Sequence, residues 1–282
     1  MGPIWVPGIP DPPYRILSHP GRSRHGGVGA TGWKRGLWVL HGFAEILRRV
    51  PHSLTALNDA VTTCRRCPRL VAWREEVARE KRASFAGEDY WGRPVPGFGD
   101  PDARLLVVGL APAAHGANRS GRMFTGDRSG DWLYRALHRS GFSNQAESTM
   151  RGDGLTLTDC FITAAVRCAP PGNRPTPGER DACRPFLEGE LDLLTRVRVM
   201  VCLGQFAYRQ LWRVLHARGE PLPKPRTRFA HGAEVPVRPG LTLMASYHPS
   251  QQNTFTGTLT EEMFDAIWAR AREILVLPPI LP

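Results

Sequence analysis

Three groups of residues have the side chains and spacing to do chemistry. The first lies within Gly109-Leu-Ala-Pro-Ala-Ala-His-Gly-Ala-Asn-Arg-Ser-Gly-Arg-Met-Phe-Thr-Gly-Asp127, which carries His115, Asn118, Arg119, Arg122, Phe124 and Asp127. That set offers anion binding, a ring for stacking and a carboxylate in one short segment. The second is His248-Pro-Ser-Gln-Gln-Asn253, a histidine followed by small and amide side chains. The third is the pair Cys64 and Cys67, two residues apart, with Cys168 and Cys183 further on, each pair beside prolines. Four thiolates can hold a tetrahedral zinc or an iron–sulfur cluster, and spacing alone does not choose between them. Cys160 and Cys202 fall inside apolar segments and read as small packed hydrophobes.

The surrounding pattern is that of a scaffold able to hold these groups. Apolar runs at 104–110, within 155–166, at 198–203 and at 241–247 predict strands. Amphipathic stretches predict helices at 53–64, 70–81, 129–140, 176–195, 205–218 and 260–275. Ser53 reads as an N-cap. Thr176-Pro177-Gly178-Glu179 reads as a capping box with proline at the first helical position. Gly141 and Gly219 read as C-terminal stops. Strands alternating with helices predict one α/β domain on a parallel sheet, whose ligand sites lie at the carboxyl ends of the strands. The first reactive segment follows one such strand, and His248 follows another. Each reactive residue also has a plain structural alternative. Phe124 could be core, and Asp127, placed before a helix, could simply cap it.

Composition narrows the partner. The 282 residues hold 37 Lys and Arg against 26 Asp and Glu, a formal charge of +11, which suits a polyanion. The first fifty residues contribute seven basic and two acidic side chains, so the rest of the chain is basic as well. Residues 1–50 are rich in Pro, Gly and Arg and read as a partly disordered extension, with a short helix near 37–50. Residues 51–277 read as the folded domain and 278–282 as a tail. No run approaches the roughly 18 apolar residues of a membrane span, and Met1 to Pro13 does not read as a signal peptide. A reducing cytoplasmic compartment, no membrane and a monomer are the resulting expectations.

The Gly109–Asp127 segment, the cysteine pattern and His248–Asn253 together resemble family 5 (type B) uracil-DNA glycosylases, over roughly residues 53–276. The resemblance implies a three-layer α/β/α sandwich around a central four-stranded, mostly parallel sheet. It implies a bacterial or archaeal repair enzyme that cuts the N-glycosidic bond of uracil in double-stranded DNA, leaving an abasic site. It extends to other deaminated or exocyclic bases such as hypoxanthine and ethenocytosine. By the same likeness Cys64, Cys67, Cys168 and Cys183 hold a structural 4Fe-4S cluster, which then takes precedence over zinc.

The resemblance also assigns roles. Phe124 stacks on the extruded base, His248 stabilises the leaving anion and Asp127 orients or activates water. Ser250, Gln251 and Asn253 belong to a segment, 250–256, that wedges into the duplex. Arg119 and Arg122 are candidates for phosphates, Ala111 for contact with the base, and His115, Asn118 and Asn173 for base or phosphate contacts. Two departures stand out. Leu110 and Ala111 are apolar where related enzymes carry an acid or amide. Ala164 replaces an asparagine that reads the uracil edge, which fits relaxed base choice, with Asn173 as a substitute. The missing acid leaves open a cluster-bearing nucleic-acid-binding module without catalysis. Hydrolysis of free nucleotides is a further alternative.

Overall fold

A computed structural model describes residues 51–276. The expected N-terminal extension, its 37–50 helix and the 278–282 tail lie outside the described residues. In chain order the elements are α1 (Leu54–Thr62), α2 (Pro68–Glu80), β1 (Phe98–Gly99), β2 (Leu105–Gly109), α3 (Ala117–Ser120), α4 (Arg128–Arg139), β3 (Cys160–Ala164), α5 (Pro177–Leu193), β4 (Val199–Leu203), α6 (Gln205–Ala217), β5 (Glu234–Arg238), β6 (Leu241–Ser246), α7 (Gln251–Phe255) and α8 (Glu261–Val276).

The sheet order is β1-β3-β2-β4-β6-β5. Its middle four strands are parallel, with Leu105 opposite both Cys160 and Val199, and Val199 opposite Thr242. β2, β3 and β4 are buried at every position, so they read as continuous apolar runs, as parallel strands covered on both faces do. Successive residues of β2 point to opposite sides. Leu105 and Val107 join Leu133, Leu137, Phe264 and Trp268 from α4 and α8. Leu106 and Val108 join Leu187, Tyr208, Leu211 and Leu215 from α5 and α6. Helices on both faces of the sheet make three layers.

The expected sheet had four strands, and two antiparallel edges extend it to six. β1 is only two residues long. β5 is a strand that the apolar pattern does not announce, with Pro236 interrupting Glu-Val-Pro-Val-Arg. At a sheet edge that proline is tolerated, and the pairing shifts register beside it. The caps form as the sequence predicts. Ser53 Oγ accepts from Ala56 N, and Thr176 and Glu179 complete a reciprocal capping box. No helix among the described residues is long and apolar enough to cross a membrane.

Candidate active site at the strand ends

From β2 the chain turns towards β3 on one side, and the next strand, β4, lies on the other. The carboxyl ends of β2 and β4 therefore flank a topological switch, where open α/β sheets leave a crevice. The segment after β2 doubles back over it. The Phe124 ring lies on Gly109, where a Cβ would fall 2.7 Å from its Cζ, so only glycine lets the ring approach. Phe124 has φ 53°, in the left-handed region, a costly conformation for an aromatic residue and typical of a functionally constrained position.

His248 is brought up from the end of β6. Its ring centroid is 6.0 Å from that of Phe124, and the planes are tilted by 31°. Gly204, at φ 92° between β4 and α6, packs directly beneath it, where a Cβ would sit 3.2 Å from that of His248. The turn is held from within. The Asn253 amide and the Ser250 backbone N–H both donate to the His248 carbonyl, at 2.9 and 2.8 Å. Ser250 Oγ caps α7. On the other side Tyr247 N–H donates to His231 Nδ1, so Nε2 of that ring carries the proton and donates to the Met263 carbonyl. Burial pushes the His248 pKa down to about 4, so its ring is neutral at pH 7.

Asp127 is the N-cap of α4, with Oδ1 accepting from Gly130 N at 3.1 Å. Its other oxygen lies against Gly116, where a Cβ would be 2.2 Å from Oδ2. Burial raises its pKa above the ordinary carboxylate value, opposed by the backbone N–H groups of Gly130 and Ser129. The cap and a chemically active second oxygen are compatible on one side chain.

Both arginines expected at phosphates have partners within the chain. Arg122 is buried, donating to both oxygens of Asp153 (2.8 and 2.5 Å), to Ser148 Oγ and to Thr125 Oγ1. Arg119 is almost as enclosed, held by Glu88, the carbonyls of His115 and Gly126, and the Phe85 ring 3.9 Å away. Both guanidinium groups brace the loop and have little left for DNA. Asn118 is fully buried and donates to the Arg74 carbonyl, so it too is structural. His115 is half-buried and pairs with the Tyr90 hydroxyl at 3.0 Å, its pKa lowered by burial and by Arg82 and Arg119. Asn173 stands exposed on a 3-10 turn, and its side chain makes no hydrogen bond among the described residues. Gln251 is exposed.

The sequence reading passed over Arg128 and Phe255. Phe255 projects from α7, 67% exposed, with the Arg128 guanidinium 4.2 Å from its ring centroid. The signal for Phe255 was a large apolar residue in a polar segment. The buried pair Arg167–Glu190, at 2.6 Å, was also missed; it ties the end of β3 to α5, and Thr163 Oγ1 shares Glu190.

Cys64 and Cys67 lie in the turn between α1 and α2, Cys168 follows β3, and Cys183 lies in α5. Ala111 packs, half-buried, against the cluster of Leu70, Val166, Cys168 and Cys183, so it stands between the strand end and the thiols. The buried Arg74 donates to Cys168 Sγ at 2.9 Å while its Nε has no partner. The Arg167 backbone N–H points to Cys183 Sγ at 3.5 Å. Burial pushes the Cys168 and Cys183 thiols up to about 12 and about 11, opposed by the Arg74 guanidinium and the Arg167 backbone N–H, both of which favour an ionised sulfur. Among the described residues, no three His, Cys, Asp or Glu side chains are grouped to hold a single metal ion. A cavity of about 740 Å³ lined by Arg139, Arg272 and Val276 lies at the far end of α4 from Asp127, away from the strand ends.

The comparisons agree with one another. Residues 96–272 match the model of the uracil DNA glycosylase superfamily. A protein named Type-5 uracil-DNA glycosylase from Mycobacterium tuberculosis is 54% identical over 223 residues, 79% of this chain and 82% of its own. One of the same name from Thermus thermophilus is 54% identical over 219 residues, covering 78% and 97% of the two chains. Another from Pyrobaculum aerophilum is 46% identical over 213 residues, covering 76% and 89%.

Proposed function

The chain belongs to the uracil-DNA glycosylase superfamily, and from that premise we propose that it is a monofunctional hydrolase that removes uracil from duplex DNA and leaves an abasic site. The observation that carries this reading is the pairing of Phe124 with His248 at the strand ends, beside a loop that ends in Asp127.

A base within a duplex must first be rotated out, at a cost of a few kcal/mol that is smallest at a mismatch. Phe255, exposed on α7, is the apolar side chain suited to fill the space it leaves. A base held face to face between the Phe124 and His248 rings would need roughly 7 Å between them, twice a carbon contact distance. At 6.0 Å the gap is too narrow. The base therefore stacks on Phe124 and meets His248 at its edge. A neutral imidazole N–H can donate there to the oxygen that becomes negative as the bond breaks, and a dry surrounding strengthens that hydrogen bond. The Asp127 oxygen not spent on the cap orients and activates the water. With Ala164 at the end of β3 no amide reads the pyrimidine edge, which supports acceptance of hypoxanthine and ethenocytosine as well.

Cys64, Cys67, Cys168 and Cys183 are the residues that would hold a 4Fe-4S cluster. The buried Arg74 beside Cys168 and the Arg167 backbone N–H beside Cys183 support ionised sulfur there. Hydrolysis of a glycosidic bond transfers no electron, so a cluster held there would serve to cross-link α2, α5 and the end of β3. A monomer acting in the cytoplasm completes the reading.

The test is base release from U·G duplex without Mg²⁺, by wild type, Asp127→Asn and His248→Ala. Uracil release that both substitutions suppress supports the proposal. An inert wild-type protein that still binds the duplex would leave a binding module in its place.

A further inference from the structure

The segment between α6 and β5 carries arginines that meet no acid. Arg226 and Arg228 on this segment and Arg209 on α6 line a cavity of about 260 Å³ with Gln205, Tyr208 and Phe229. All three arginines are exposed, and among the described residues none makes an ion pair or a side-chain hydrogen bond. Elsewhere the surface arginines Arg139, Arg218 and Arg270 each meet a carboxylate. Three like charges around one hollow repel, and an incoming anion relieves that repulsion.

The hollow is built by fixed contacts. The Tyr208 hydroxyl donates to the Thr227 carbonyl at 3.0 Å, pinning the chain between the two loop arginines. The Phe229 ring packs between Tyr208 (5.7 Å) and Tyr247 (6.1 Å). Tyr247 immediately precedes His248, and Gln205 follows Gly204, which lies beneath His248. Arg209, four residues along α6 from Gln205, shares its face. The cavity is thus joined to the reacting end of the sheet by two short connections.

We infer that Arg209, Arg226 and Arg228 form a phosphodiester site, holding the backbone of the bound strand beyond the reacting nucleotide. Forked guanidinium groups match phosphate oxygens bidentately. The identity of the strand, though not the anion chemistry, rests on the glycosylase reading.

The experiment compares wild type with Arg209→Gln and with the double variant Arg226→Gln/Arg228→Gln. Each is titrated with duplex DNA carrying a non-hydrolysable abasic analogue, across a series of salt concentrations. A second arm titrates inorganic phosphate alone by calorimetry, and a third measures single-turnover uracil release at saturating protein. The expected result is roughly ten-fold weaker DNA binding, with a log K against log salt slope about 1 unit shallower per phosphate lost. Melting temperature and the saturated single-turnover rate stay as in wild type. Unchanged DNA affinity and slope overturn the inference, as does a variant that loses only phosphate binding. Triad-dependent DNA binding without uracil release would defeat the glycosylase reading and leave this site standing. Uracil release with triad-independent binding would do the reverse.

Discussion

The Phe124 ring stands 6.0 Å from the His248 ring, tilted by 31°, although the two residues follow different strands. Base stacking contributes about 1–3 kcal/mol. Phe124→Ala should therefore slow single-turnover uracil release roughly ten- to hundred-fold, and Phe124→Tyr should largely retain it. His248→Ala removes the proposed donor to the leaving anion and should cost about 10²–10³-fold. Full activity in both variants would show that the base binds elsewhere.

Asp127 caps α4, and the proposed reaction gives it a chemical role as well; substitution separates the two. Asparagine caps a helix as well as aspartate does, while alanine loses about 1 kcal/mol. Asp127→Asn should melt like wild type yet release uracil about 10²-fold more slowly or worse. If its rate matches wild type, the carboxylate is a cap alone.

The pH response follows from His248. Its pKa of about 4 lies below the ordinary 6.5, so the folded state favours the neutral ring. Between those values the unfolded chain binds more protons. The contribution to stability is complete above about pH 6.5 and is lost as pH falls towards 4, on the order of 3 kcal/mol in all. Urea melts of wild type and His248→Gln should diverge over that window. Catalysis should show no midpoint near 6.5, and Asp127→Asn should alter the acid limb, because burial holds the Asp127 carboxyl above its usual range.

The Arg122–Asp153 pair is internal, with side chains 5% and 9% exposed. Breaking one partner of a buried pair costs about 3–5 kcal/mol. Asp153→Asn should lower the melting temperature markedly and leave the salt dependence of DNA binding unchanged. A shallower salt slope with normal stability would restore a phosphate role to this region.

For the thiols, anaerobically purified protein should contain about four irons and four sulfides per chain. Cys168→Ser should lose iron and unfold more easily. One zinc per chain in a colourless sample would reverse the cluster assignment.

Much of the scaffold was legible because local interactions encode it. The buried runs of β2, β3 and β4, the Ser53 cap and the Thr176–Glu179 box involve neighbours in sequence, so periodicity and spacing suffice. The reactive segments were legible for the same reason, being contiguous. β5 was not, because a proline-containing strand depends on lying at the sheet edge. Phe255 gained its meaning only when α7 set it, exposed, beside Arg128.

The sequence by itself determined an α/β domain, the four parallel strands in their order along the chain, its basic character and the residue types at the strand ends. Tertiary structure decided which arginines are free. Arg122 finds Asp153 and Arg119 finds Glu88 across intervals of 31 residues, whereas among the described residues Arg209, Arg226 and Arg228 find no acid. A charge shows its sign in the sequence. Whether it is neutralised depends on which distant segment folds against it, and no local pattern carries that information.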